Sequence, residues 1–173
     1  MLYLQTTKKA LTRLGLGRER LGSPGKTDSA LGNWLVNLVP MGGREGYLFM
    51  SVRSLLSFPI MIGKMEPGPE DMGDFLAHGV RLLTQAMKTP RLQSALLMRN
   101  LEEVAICANF DRSLIGLHSA IANDYFQLMD DAGGPQGTDI SKVISEVNSR
   151  PRKTLDWHNS FEVSTKLLTA SVA

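Results

Sequence analysis

An apolar run, Ala105-Ile106-Cys107-Ala108, stops at a polar corner, Asn109-Phe110-Asp111-Arg112-Ser113, and is followed by Leu114, Leu117, Ile121, Tyr125 and Leu128 at helical spacing. This change of period, from a short strand to an amphipathic helix, constrains the chain more than any other feature. The strand must deliver the chain to the start of a long helix, and that helix needs a core on which to bury its stripe. Asp111 stands where a side chain accepts the free amides of a first turn. Arg112 and Ser113 stand where the same amides hold an anion. The corner is expected to bind something, and it names no reaction.

The rest of the chain supplies that core. Leu2 to Thr7 alternates as a short strand, and Ala10, Leu11 and Leu14 then recur at helical spacing, with Thr7 as a cap. Glycine, serine, proline and charge dominate residues 15–32, which read as a loop. Trp34 to Val39 is apolar and fits a strand or a helical turn. Gly46 to Val52 and Phe58 to Ile62 suit an antiparallel pair, with Pro59 weakening the second strand or placing it at an edge. Helical patterns follow over Glu70 to Met87 and from Thr89-Pro90 to about Leu101. After Gly133-Gly134-Pro135 ends the long helix, Ile140 to Val147 and Ser160 to Leu168 are amphipathic. The few, hairpin-like strands favour an α+β fold: a small antiparallel sheet packed against several helices, one domain with a helical C-terminal tail. The division expected is a core over 1–132 and a helical extension over 133–173.

With 173 residues, 43% of them hydrophobic, the chain can bury one good core. A formal charge of +2 does not by itself imply nucleic acid, but its distribution is uneven. Lys8, Lys9, Arg13, Arg18, Arg20 and Lys26 face only Glu19 in the first stretch, and Arg150, Arg152 and Lys153 flank Pro151 near the end. Such basic faces suit phosphates or an acidic partner protein, and they equally suit a solvated surface. Cys107 is the only cysteine, so an intrachain disulfide is excluded and a reducing, cytoplasmic setting is expected. No apolar run is long enough to span a bilayer, so no membrane association is expected.

Tests for chemistry are mostly negative. Ser23-Pro24-Gly25-Lys26-Thr27 ends like a phosphate loop, but Arg20 occupies the position of the required first glycine. His78, His118 and His158 lie on separate elements without the close pairing of a metal site, so neither metal nor cofactor is expected. The pairs Glu70-Asp71, Glu102-Glu103 and Asp130-Asp131 place adjacent carboxylates on diverging directions of a helix, unlike an acid/base dyad. Trp34 is either a core residue or a stacking platform, and Asn37 either ties backbone together or faces a ligand.

Four segments together resemble an uncharacterised bacterial domain family: residues 4–11, 31–38, 48–51 and 109–116 match its Thr-Lys-Lys start, its Gly-x-Trp-x-x-Asn-Leu segment and its Asn-Arg-Ser-Val-Leu-Gly corner. Asp111 replaces the usual Asn, and His118-Ser119-Ala120 departs from Met-Asn-Asp. The family occurs alone or ahead of a plasmid-type domain associated with mobile elements. Residues 148–155 are also similar to the closing peptide of some insertion-element transposases. Residues and resemblance together mark Lys8, Lys9, Trp34, Asn37, Asn109, Arg112, Ser113, Arg150, Arg152 and Lys153 as binding candidates. The function expected is a non-enzymatic nucleic-acid-interacting module of a mobile-element, phage or defence-related locus. A protein-binding regulator, such as an antitoxin, an inhibitor of a defence complex or a homodimer, is the first alternative. A nuclease using Asn109, Asp111, Arg112 and His118 is the second.

Overall fold

The computed structural model describes residues 1–64 and 66–172. Strand β1 (Leu2–Thr6) leads into helix α1 (Lys8–Arg13), and a long loop brings the chain to β2 (Trp34–Met41), β3 (Arg44–Ser51) and β4 (Ser57–Met61). Helices α2 (Met72–Ala86) and α3 (Arg91–Arg99) precede β5 (Val104–Ala108), and α4 (Arg112–Asp131), α5 (Ile140–Ser149) and α6 (Ser160–Ala170) complete the chain. The α+β class is as expected. The five strands form one sheet in the order β4-β3-β2-β1-β5. β2, β3 and β4 pair antiparallel, and β1 joins the sheet in parallel with both β2 and β5.

The β2–β3 hairpin turns on Gly42 and Gly43, both in the left-handed region with φ of 58° and 80°. Two consecutive positive φ values are what a tight hairpin turn needs and what side chains resist. This resolves Trp34 to Val39 as strand. Pro59 lies on the edge strand β4, paired with Leu48 of β3, and its missing N–H falls on the side of β4 away from β3.

Register decides the two faces. Trp34, Phe49 and Phe58 share one, where the Phe49 and Phe58 rings stack at 5.0 Å and Trp34 tilts against Phe58 at 5.7 Å. Helix α2 lies over this cluster, with Gly79 directly above the Phe58 ring. The opposite face carries Ser57 and receives α4 and α5. Tyr125 donates its hydroxyl to the Ser57 carbonyl at 2.8 Å, and the Asn148 side chain bonds both Ser57 N–H and C=O at 2.8 Å. One buried cluster runs from Leu2 to Leu168, so α5 and α6 contribute to the same core as the sheet.

Candidate functional site

The corner forms where the parallel strands β1 and β5 end side by side. Asn109 N–H donates to the Thr6 carbonyl at 3.0 Å, and Thr7 N–H donates to the Val36 carbonyl at 3.0 Å, so β1 and β5 leave the sheet together beside β2, which runs on to Met41. Thr7 caps α1, accepting from Ala10 N–H, while its hydroxyl donates to Asn37 Oδ1 at 2.6 Å. Asn37 therefore ties β2 to the start of α1, the first of its two sequence readings. Lys8 and Lys9, on the first turn of α1, are exposed.

Asp111 caps α4 as the sequence implies. Its Oδ1 accepts from Ser113 N–H at 2.8 Å, from the Ser113 hydroxyl at 2.6 Å and from Leu114 N–H at 3.4 Å. The Ser113 hydroxyl and amide hold the Asp111 carboxyl below its ordinary range. This corrects the reading of Ser113 as an anion ligand: the position an anion would take already holds a carboxylate of the chain itself. Asn109 is also corrected. It is buried, and its side chain clasps the backbone of Asp111 through Nδ2 to the carbonyl at 3.1 Å and Oδ1 to the N–H at 3.2 Å. It braces the corner. Trp34 has no exposed surface, so its reading as a stacking platform gives way to the core reading.

Two residues that the sequence did not single out as binding residues complete the corner. Arg18, from the long loop, donates to the Asn109 carbonyl at 3.2 Å and lies over the Phe110 ring, 4.5 Å from its centroid. Phe110 is 56% exposed, between the polar residues Asn109 and Asp111. The signal available in the sequence was that aromatic inside a polar stretch. Its cationic partner lies far away along the chain, where no local pattern points to it.

The C-terminal basic patch is a separate feature. Arg150 and Arg152 both pair with Asp124 at 2.9 Å, and Arg150 also reaches Glu146 at 3.1 Å. These pairs pin the end of α5 to α4, which corrects the reading of the two arginines as free phosphate ligands. Lys153 is exposed. Asp124 lies twelve residues beyond Arg112 on α4, which at the helical rise is about 18 Å. The patch and the corner do not converge.

His118 is fully buried and its Nε2–H donates to the Leu48 carbonyl at 2.9 Å, so it faces the sheet and cannot reach Asn109, Asp111 and Arg112 at the corner. Burial lowers its pKa below the ordinary value, with the Leu48 bond opposing in part. A depressed histidine pKa means the unfolded chain takes the proton first as pH falls. Stability from this group is then present above the unfolded pKa of about 6.5 and lost below it, with a limiting slope of about 1.4 kcal/mol per pH unit. His118→Gln is expected to flatten that part of the profile between about pH 6.5 and 5, as read from urea unfolding of both proteins across the range. Equal slopes for the two would reject the assignment. Cys107 is buried too, and burial pushes its thiol up to about 11, leaving it protonated and inert at neutral pH. Among the described residues, no three His, Cys, Asp or Glu side chains are grouped to hold a metal ion. Among the same residues, no helix is long and apolar enough to cross a membrane.

The family described as a domain of unknown function, DUF6933, matches residues 3–163. The chain belongs to that family. No curated protein matches it. The DUF6933 match runs from β1 into α6 and so takes in both the corner and the Asp124 brace.

Proposed function

We propose that this DUF6933 chain is a non-enzymatic nucleic-acid-binding module, in keeping with the mobile-element, phage or defence-related setting that its resemblance implies. The observation that carries the reading is the surface at the ends of β1 and β5, where Arg18 lies over the exposed ring of Phe110 and where Lys8 and Lys9 open α1 and Arg112 opens α4. Lys8, Lys9 and Arg112 are exposed and enter no ion pair among the described residues. Unpaired cations are the groups that hold phosphates, and an exposed aromatic ring is one on which a base can stack.

Fluorescence anisotropy with labelled DNA and RNA, at about 50 mM and about 200 mM salt, tests it. Binding is expected at the lower salt and is expected to weaken steeply at the higher. Replacing Lys8, Lys9 and Arg112 by Ala should reduce the slope of log affinity against log salt by about 0.7 to 0.9 for each cation removed. No binding at the lower salt, or a slope unmoved by the triple variant, would reject the reading.

A protein-binding regulator is favoured by a different observation. Trp157 is 68% exposed and held at φ 65° after Asp156 at φ 51°, a turn closed by Trp157 N–H to the Arg152 carbonyl at 3.0 Å. An exposed tryptophan on a left-handed backbone is the kind of anchor that protein interfaces use.

A further inference from the structure

The two edges of the sheet are finished differently. On β4 the outward N–H and C=O of Ser57 are both bonded by the Asn148 amide, and Pro59 has no outward N–H to offer. On β5, Leu2 N–H donates to the Glu103 carbonyl at 2.8 Å and Asn109 N–H to the Thr6 carbonyl at 3.0 Å. Residues 103, 105, 107 and 109 therefore turn their backbone groups toward β1, and Val104, Ile106 and Ala108 turn theirs outward. The Ala108 N–H is bonded by the Gly22 carbonyl at 3.3 Å. Among the described residues nothing bonds the outward groups of Val104 or Ile106. The strand Val104-Ala105-Ile106-Cys107-Ala108 is short, uncharged and free of proline, and its first three residues are part-exposed. Apart from its short length and the Gly22 carbonyl on Ala108, it has neither the proline nor the charged side chains that keep an edge from pairing.

We propose that β5 pairs antiparallel with β5 of a second copy, about a two-fold axis through Ala105, joining two five-stranded sheets into one. The free groups set the register: Val104 of one copy faces Ile106 of the other, and each such pair exchanges two backbone hydrogen bonds. The alternative centred on Ile106 would need the outward N–H of Ala108, which Gly22 already occupies. Charge selects a second copy as the occupant. Glu102 and Glu103 are exposed at the start of β5 and enter no ion pair among the described residues, while Arg18 and Arg20 are exposed beside its end, on the turn that leads into Gly22. Antiparallel pairing about Ala105 sets each acidic start against the basic end of the other chain. A two-fold axis satisfies both junctions at once.

Sedimentation velocity of the full chain over a wide concentration range tests this. The wild type is expected to associate to a dimer. Because the Ile106 N–H points away from β1, Ile106→Pro removes only the edge donor from the ladder and is expected to give a monomer with an unchanged far-ultraviolet spectrum. Glu102→Lys with Glu103→Lys, both on the surface, is expected to weaken association by about tenfold or more. Arg18→Glu with Arg20→Glu added to the same chain is expected to restore it. The charge reversals decide the matter if the proline variant does not fold. A monomer at every concentration, a dimer that survives in folded Ile106→Pro, or a failure of the second reversal to restore association would each overturn the proposal.

Discussion

Asn148→Ala is expected to lower the stability of the protein by about 3 to 5 kcal/mol, seen as a fall in the urea midpoint with little change in slope. Asn148 is 1% exposed, and its amide serves as the strand that β4 lacks. Oδ1 accepts from Ser57 N–H at 2.8 Å, and Nδ2 donates to the carbonyls of Ser57 and Ile144, each at 2.8 Å. Alanine leaves the Ser57 N–H without a partner and takes one of two donors from its carbonyl, the other being Tyr125 at 2.8 Å. Each buried group left unsatisfied costs about 1 to 3 kcal/mol, and the cavity adds to that. Asn148→Asp is expected to be worse, because it turns an acceptor toward the Ser57 carbonyl where a donor is needed. A loss below about 1 kcal/mol for the alanine variant would mean that water takes over the amide's bonds.

Gly79→Ala is expected to destabilise by about 2 kcal/mol, against the direction that helix propensity alone predicts. In the middle of α2 alanine should gain about 1 kcal/mol over glycine. Here the added Cβ would fall within the Phe58 ring, whose position is set by stacking on Phe49 and by Trp34. Overpacking of a dense core costs about 1 to 3 kcal/mol or more, and a ring wedged from three sides has little room to yield. Phe58→Leu in the same chain makes room, so the double variant should lose less than the sum of the two single losses. Additive losses would place the cost of Gly79→Ala elsewhere than at Phe58.

Both predictions rest on contacts between residues far apart in sequence, which is where reading the chain alone stops. The strand at Leu2 to Thr6, the antiparallel pair β3 and β4, the stripe of α4 and the caps Thr7 and Asp111 were all legible, because each follows from local spacing or from a side chain reaching its own backbone. That Pro59 would either weaken its strand or sit at an edge was legible for the same reason, since a missing N–H is a property of one residue, and the strand order chose the edge. The parallel pairings of β1 were not legible. They depend on which crossover brings which strands together, and no local pattern encodes that.

The corner divides along the same line. Sequence alone determined that a strand runs into the corner, that Asp111 caps a long helix, and that Lys8, Lys9 and Arg112 are candidate binding cations. Only the tertiary structure decided what those groups do. It withdrew Trp34 into the core and turned Asn109 and Ser113 onto Asp111. It paired Arg150 and Arg152 with Asp124, and it laid Arg18 over Phe110. The physical reason is that a polar side chain's role is set by the partner it meets on burial, and those partners lie across the fold. The basic corner was therefore visible in outline from the residues, and the seating of Arg18 on Phe110 emerged only with the fold.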